Sequence, residues 1–180
     1  MRLLYAITGR PGIGKTTVAL KVSTALKKHG LKIDGMYTME VREGGVRKGF
    51  KVVRIGGGEG ILAWKDHRGG PRVGRYTVNL RDLEEVGVRG IIEGVERADF
   101  VVVDEVGPME LYSQRFREAV KNLLSSTKPA LITVHYRSRD PLIQEVKRAA
   151  GGNLIILDEE NRGRVPDIIV GDVLRLVSRE

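Results

Sequence analysis

The residues in this chain that most clearly suggest chemistry form a glycine-rich loop near its start. Glycines at such spacing let backbone N–H groups converge on phosphate oxygens, and the positive end of a following helix points at the same place. In this pattern Lys15 is expected to reach the β- and γ-phosphates, and the Thr16 hydroxyl to bind Mg²⁺. The sequence therefore predicts nucleotide binding at Gly9, Arg10, Pro11, Gly12, Ile13, Gly14, Lys15, Thr16 and Thr17.

Two carboxylates form the second chemical signal. Asp104 and Glu105 follow the apolar run at 100–103, which is typical of a buried parallel strand. Asp104 at the end of such a strand is expected to join Thr16 in the Mg²⁺ site, meeting the shell of the ion through a water molecule. Glu105 is then well placed to orient and deprotonate a water molecule that attacks the γ-phosphate, although a solvated charge at a strand end is the alternative. Together the two motifs favour Mg²⁺-dependent hydrolysis, with Lys15 and Glu105 as the catalytic residues.

Several further polar residues have a structural explanation beside a functional one. Thr133 and His135 end a later apolar run, where one of them could sense the γ-phosphate, or both could be ordinary core and rim residues. Glu110 either adds a carboxylate to the site or lies in a surface or capping position. One basic residue could neutralise charge in the transition state. The candidates are Arg47, Lys48, Arg54, Arg72 and Arg75.

The elements that must position these residues alternate between strands and helices. Short unbroken apolar runs, typical of buried parallel strands, occupy residues 3–7, 100–103, 130–134 and 154–157. Apolar residues recur at helical spacing after Gly14, from Phe116, after Pro141 and after Pro166. This alternation predicts an α/β fold in which helices cover a mostly parallel sheet.

Residues 36–81 interrupt the alternation. Apolar and polar residues alternate at 50–55 and 75–78 between clusters of glycine, which predicts β-hairpins inserted after the first strand–helix unit. The segment contains ten Lys and Arg against four Asp and Glu, so it holds +6 of the chain's net charge of +8. We interpret residues 1–180 as a single domain with a basic β-hairpin insertion at 36–81.

The composition excludes several classes of protein and site. Because the 180 residues include no cysteine, thiolate catalysis, cysteine-ligated zinc and iron–sulfur clusters are excluded. The apolar runs are too short to span a membrane or to form the core of a signal peptide, so we expect a cytoplasmic protein without a membrane partner. The net charge of +8 indicates a phosphate-bearing partner, and a thermophile surface poor in Asn and Gln is the alternative explanation.

Three motifs give the chain a resemblance to a known family. They are Thr8-Gly9-Arg10-Pro11-Gly12-Ile13-Gly14-Lys15-Thr16-Thr17, Asp104-Glu105-Val106-Gly107-Pro108-Met109-Glu110-Leu111 and Asn161-Arg162. With them, the chain resembles the small nucleoside-triphosphatase family of thermophilic archaea and bacteria, relatives of the human cancer-related nucleoside-triphosphatase. Phosphate loops are widespread, whereas the middle motif is distinctive. Length and motif order agree over nearly the whole chain.

The resemblance implies more than the motifs do alone. It implies a RecA-like P-loop NTPase fold in three layers, Mg²⁺ as cofactor, and a contact of Arg162 with the nucleotide. It also implies hydrolysis of ATP, GTP and other nucleoside triphosphates to diphosphate and phosphate with weak base specificity. The alternative is a P-loop kinase that transfers the γ-phosphate to a nucleotide or small metabolite. Nucleic acid is not favoured as a partner, since no nucleic-acid-binding motif is present, and we expect a monomer.

Overall fold

The computed structural model describes residues 2–179. Its strands are β1 (Leu4–Thr8), β2 (Ile33–Glu43), β3 (Val46–Arg54), β4 (Glu59–Trp64), β5 (Arg72–Val73), β6 (Tyr76–Val78), β7 (Phe100–Val106), β8 (Ala130–Val134) and β9 (Leu154–Ile156). Its helices are α1 (Lys15–Lys28), α2 (Leu80–Asp82), α3 (Arg89–Arg97), α4 (Gln114–Ser125), α5 (Pro141–Ala150) and α6 (Val165–Val177). A π-helical turn, Leu83–Val88, joins α2 to α3, and 3₁₀ turns occupy Glu110–Tyr112 and Gly151–Asn153.

Within residues 2–179 the strands form one sheet with a parallel and an antiparallel part. Their order is β5-β6-β4-β3-β2-β7-β8-β1-β9. Neighbouring strands run parallel from β2 through β7, β8 and β1 to β9, and antiparallel from β2 through β3 and β4 to β6 and β5. The predicted α/β fold with a large, mostly parallel central sheet is confirmed.

Alternate side chains of the central strands enter two apolar cores, one on each face of the sheet. On β7, Val101 and Val103 belong to the core that also contains residues of α3, α4 and α5. Phe100 and Val102 belong to the other core, which contains residues of α1 and α6. Helices therefore cover both faces, and the molecule has the three layers that the resemblance implied.

Local signals fix where two of the covering helices begin. Ser113 caps α4 by accepting a hydrogen bond from the N–H of Phe116. Asp140 caps α5 in the same way with the N–H of Leu142, and Pro141 occupies its first turn. These helices follow β7 and β8, so both begin on the side of the sheet at which the parallel strands end.

Residues 36–81 add antiparallel strands to this sheet. The hairpin strand β2 begins earlier than predicted, and its residues 33–36 pair in parallel with β7 so that Met36 lies opposite Val103. From there β2 continues for seven residues to Glu43, whereas β7 ends three residues later at Val106. The β2–β3 hairpin therefore projects past the carboxyl edge of the parallel strands, the edge at which α/β sheets bind ligands.

Residues 80–97 form helices that the sequence pattern does not predict. The buried Leu83 and Val88 lie five positions apart across the π-helical turn, so apolar residues do not recur there at the spacing of an α-helix. Glycines within the segment also argue against a helix. One of them, Gly90, is required for packing, since a Cβ there would lie 2.3 Å from the backbone oxygen of Gly35.

Replacing Gly35 by alanine is expected to unfold or severely destabilise the protein. Gly35 has a φ of +123°, and a Cβ at this position would lie 1.8 Å from the backbone oxygen of Val102 on β7. The two strands would have to separate, so we expect a loss of about 3 kcal/mol or more in the free energy of unfolding, measured in urea, or a loss of soluble protein. Gly152→Ala is the control, because a Cβ there meets nothing within 4 Å. Equal stability of the two variants would contradict the close approach of β2 and β7.

Candidate active site

The predicted phosphate loop connects β1 to α1, and its glycines are required for two different physical reasons. Gly12 and Gly14 have φ values of +80° and +112°, which side chains rarely adopt. At Gly9 the constraint is space, because a Cβ would lie 2.9 Å from the backbone oxygen of Leu157. The backbone path of the loop therefore depends on all three glycines.

Lys15, the first residue of α1, lies between the loop and β7. Its Nζ donates a hydrogen bond to the backbone oxygen of Gly9 at 2.8 Å and lies 3.6 Å from Oε2 of Glu105. Only 10% of the Lys15 side chain and 26% of the Glu105 side chain are exposed. The structure thus brings together the two residues that the sequence predicts to be catalytic.

Asp104 is buried, with 1% of its surface exposed, and both of its carboxylate oxygens are hydrogen-bonded. Thr16 donates to Oδ2 at 2.8 Å, and Thr133 of β8 donates to Oδ1 at 2.6 Å. Burial nevertheless raises the pKa of Asp104 to about 6, because desolvation outweighs the two hydrogen bonds. Asp104 and Glu105 lie inside β7 rather than after it, since the strand extends to Val106.

The donor set fits a divalent cation that is bound together with a nucleotide. Thr16 and Asp104 place one hydroxyl and one carboxylate side by side. Among residues 2–179 no group of three or more His, Asp and Glu side chains could hold a metal ion by itself. Mg²⁺ commonly keeps several water ligands and takes one or two protein oxygens together with substrate phosphates. The residues present therefore match that mode of binding.

A second carboxylate, Glu110, lies next to Glu105 and is also buried, with 4% of its surface exposed. A Cβ placed on Gly107 would lie 2.9 Å from Oε1 of Glu105 and 3.2 Å from Oε2 of Glu110, so both carboxylates border this glycine. Burial, followed by the negative charge of Glu105, raises the pKa of Glu110 to about 8. The surface position considered for Glu110 is therefore wrong. It begins a 3₁₀ turn, but its carboxylate lies inside the protein.

Arg162 lies beside the phosphate loop, on the segment between β9 and α6. Its guanidinium donates to the backbone oxygen of Ile13 at 3.3 Å. The same segment pairs with the loop a second time through Glu159 and Arg10, at 2.7 Å. This second contact has no signal in the sequence, because the two residues are far apart in the chain. Glu159 and Arg162 are thus positioned beside the loop in which the sequence places nucleotide binding.

Two of the five basic residues that could neutralise charge in the transition state form ion pairs with acidic side chains of the protein. Arg47 binds Glu40 at 2.9 Å, and Arg54 binds Asp34 at 2.8 Å and Glu93 at 2.6 Å. No ion pair among the described residues involves the remaining three, which are Lys48, Arg72 and Arg75. Arg47 and Arg54 therefore stabilise the hairpin strands in this structure.

Comparison with known proteins agrees with this geometry. A family model described as NTPase matches residues 4–170 of the chain. The chain belongs to this NTPase family. It is 44% identical to the nucleoside-triphosphatase THEP1 of Thermofilum pendens over 177 residues, which cover 97% of each chain. It is 45% identical to the protein of the same name from Thermotoga maritima over 156 residues, which cover 87% of each.

Solved structures of family members have the same fold. THEP1 from Aquifex aeolicus superimposes with a TM-score of 0.83 at 30% sequence identity, covering 95% of this chain and 99% of its own. A human cancer-related nucleoside triphosphatase superimposes with a TM-score of 0.77 at 34% identity, covering 96% and 97%. The resemblance found in the sequence is therefore confirmed, together with the P-loop NTPase fold. P-loop NTPases generally use a divalent metal ion.

None of the helices within residues 2–179 has the length and apolar character needed to cross a membrane.

The pKa of Glu110 predicts how Glu110→Gln changes stability in this NTPase. Because the folded protein holds the Glu110 proton up to about pH 8, raising the pH from 4.5 to 8 ionises the unfolded chain first. The wild-type protein should then lose stability relative to the glutamine variant. We expect the variant to be more stable by roughly 2–4 kcal/mol at pH 8.5 and nearly equal at pH 4.5, in urea unfolding without nucleotide.

The matched control for this measurement is Glu118→Gln on the exposed side of α4. It should follow the wild-type pH dependence. A stability difference between the Glu110→Gln variant and the wild type that stays constant from pH 4.5 to 8.5 would contradict a raised pKa at Glu110.

Proposed function

We propose that the protein is a Mg²⁺-dependent nucleoside-triphosphatase that hydrolyses nucleoside triphosphates to diphosphate and phosphate. One observation carries the proposal: Glu105 lies directly beside Asp104 in β7, with the Nζ of Lys15 at 3.6 Å. Hydrolysis needs a group that activates water next to the phosphates, and this carboxylate is placed for that role. The names of the relatives, nucleoside-triphosphatase, support hydrolysis over transfer to a kinase acceptor.

The loop and α1 are proposed to bind the phosphates through residues 9–17. Backbone N–H groups and a lysine recognise features that every nucleoside triphosphate shares. Arg162 would contact the base or a phosphate from the side of Ile13, to which its guanidinium is already bound. Recognition of this kind supports hydrolysis of ATP, GTP and other nucleoside triphosphates with weak base specificity.

Thr16 and Asp104 are proposed to hold Mg²⁺ through one hydroxyl and one carboxylate oxygen. When bound, the ion neutralises charge that develops on the phosphates. Thr133 keeps the Asp104 carboxylate in place from the side of β8, at 2.6 Å. Thr16 approaches the same carboxylate from α1, so the helix that follows the loop is fixed relative to β7.

Glu105 is proposed to act as the general base. Burial raises the pKa of Glu105, and the nearby Lys15 charge opposes this rise. When phosphates take up the charge of Lys15, that opposition weakens, and the proton affinity of Glu105 increases further. Glu105 thus becomes a stronger base once substrate is bound, which suits removal of a proton from an attacking water.

Three expectations from the sequence remain predictions. They are the single-domain organisation with the 36–81 insertion, the monomeric and cytoplasmic state, and a nucleic-acid partner as possible but not favoured. We also expect slow intrinsic turnover in the absence of an activating arginine supplied by a partner.

Release of phosphate from nucleoside triphosphates without any acceptor tests the proposed function. With Mg²⁺, the wild-type protein should release phosphate over many turnovers from ATP, GTP, CTP and UTP at rates within about one order of magnitude of each other. Glu105→Gln should bind nucleotide normally and lose about 10²–10⁴-fold in kcat, because the general base is removed. Lys15→Ala should weaken both nucleotide binding and turnover.

The control variant for these measurements is Glu118→Gln, which should keep wild-type kcat and KM. Release of phosphate only in the presence of an organic acceptor would favour a kinase. A Glu105→Gln variant with near-normal turnover would show that another group activates the water.

The affinity of the proposed metal site for Mg²⁺ should depend on pH because Asp104 must be ionised to bind the ion. Its pKa of about 6 means that a bound metal ion must displace a proton from Asp104 at lower pH. The affinity of the wild-type protein for Mg²⁺, with a non-hydrolysable ATP analogue, should therefore fall by about tenfold between pH 7 and pH 5. Asp104→Asn corrects for titration of the nucleotide itself and should show a smaller decrease. Equal pH dependence in the two proteins would argue against Asp104 as a ligand.

A further inference from the structure

Gly107 follows β7 directly and leads into the 3₁₀ turn that begins at Glu110. It is not one of the glycines with a positive φ among the described residues, so its backbone conformation is open to residues that carry a side chain. Its backbone oxygen accepts a hydrogen bond from the N–H of Leu111 at 3.0 Å, and any other residue would offer the same oxygen. The conformation of the turn therefore does not explain why a glycine stands at this position.

The space around Gly107 is taken up by the two carboxylates of the site. A Cβ on Gly107 would lie 2.9 Å from Oε1 and 3.2 Å from Cγ of Glu105, and 3.2 Å from Oε2 of Glu110. Non-bonded carbon atoms ordinarily keep a separation of about 3.5–4 Å. A methyl group at this position and the present place of the Glu105 side chain therefore exclude each other.

Glu105 is the neighbour that a methyl group on residue 107 would displace. Glu110 has 4% of its surface exposed and is enclosed by the protein, whereas 26% of the Glu105 side chain is exposed. The displaced atoms belong to a side chain and not to the backbone, so their shift costs the fold little. On the opposite side of the carboxylate, Oε2 of Glu105 lies 3.6 Å from Nζ of Lys15. The position of Glu105 is thus defined by Lys15 on one side and by the empty space at Gly107 on the other.

We propose that Gly107 is a positioning residue for hydrolysis, because the absence of a side chain there leaves the space in which Glu105 is held to activate water. This inference rests on the proposed function, since Gly107 acts only through Glu105. Gly107 contributes no chemical group of its own. Catalysis depends steeply on placement, and an error of about 1 Å can reduce a rate about 10²-fold.

Gly107→Ala tests this role with the smallest side chain. We expect kcat for phosphate release to fall about tenfold or more, because the carboxylate of Glu105 is displaced. Binding of a non-hydrolysable ATP analogue with Mg²⁺ should stay within about twofold of the wild type, because the phosphate loop and Asp104 keep their places. The midpoint of urea unfolding should be unchanged or slightly higher, because alanine restricts the unfolded chain more than glycine does.

Gly152→Ala is the matched control for these measurements. Gly152 also lies outside the glycines with a positive φ, and a Cβ there meets nothing within 4 Å. This variant should keep the wild-type kcat. A Gly107→Ala protein with wild-type kcat would overturn the proposal. A lower urea midpoint together with weaker binding of the analogue would also overturn it, since Gly107 would then serve the fold.

A double variant separates the placement of Glu105 from other effects on the site. Glu105→Gln has nearly the volume of the native side chain but no longer accepts a proton from water, so its residual turnover does not depend on where the group is held. Adding Gly107→Ala should therefore change the residual rate by less than about twofold, measured in single turnovers with the protein in excess. A further loss as large as that of Gly107→Ala alone would show that the methyl group acts elsewhere, and would refute the proposal.

The same proteins distinguish a failure of this inference from a failure of the proposed function. Loss of phosphate release in Glu105→Gln with full activity in Gly107→Ala contradicts only the role of Gly107. A wild type that releases no phosphate, or a Glu105→Gln variant with near-normal turnover, contradicts the proposed function itself.

Discussion

The pair of hydrogen bonds to the buried carboxylate of Asp104 is the constraint on which the site depends. Thr16 at the start of α1 and Thr133 on β8 each donate to one of its oxygens, at 2.8 and 2.6 Å. Three separate segments therefore meet at one residue with 1% of its surface exposed. A buried carboxylate without partners would be strongly unfavourable, so these contacts stabilise the relative positions of the loop, β7 and β8. Lys15, Glu105 and His135 lie on those same segments.

The charges around Asp104 are unbalanced in a way that suits a site for cations and phosphates. Asp104, Glu105 and Glu110 are close together, and Lys15 is the one cation within 4 Å of any of them among the described residues. Burial raises the pKa of each of the three carboxyls. A divalent ion beside Asp104 would relieve this repulsion, and a nucleotide would in turn supply the negative charge that the ion and Lys15 require. A nucleotide and a divalent ion bound together would therefore balance the charges of this site.

The sequence predicts the parts of this molecule that depend on local pattern. The parallel strands and the phosphate loop follow from unbroken apolar runs and from glycines at fixed spacing, and Asp104 and Glu105 are predictable because they follow such a run. Contacts between distant segments leave no such pattern. The bond from Thr133 to Asp104, the contact of Arg162 with Ile13 and the burial of Glu110 depend on tertiary packing. The helices at 80–97 are not predictable in this way, because a π-helical turn changes the spacing of their apolar residues.

The excess positive charge of the hairpin segment has a partly structural explanation. Arg47 is held by Glu40 and the hydroxyl of Tyr76, and Arg54 joins Asp34 at the base of β2 to Glu93 of α3. These arginines stabilise strands that reach past the carboxyl edge, so part of the charge serves the fold. Lys48, Arg72 and Arg75 take part in no ion pair among the described residues. Across the strands, Gly49 lies opposite Trp64, Trp64 opposite Thr77, and Thr77 opposite Arg72, so these three basic residues lie near the projecting end of the hairpin. Three basic side chains that form no ion pair among the described residues therefore lie on the side of the sheet where nucleotide is proposed to bind, and positive charge at that place would favour the approach of a polyphosphate.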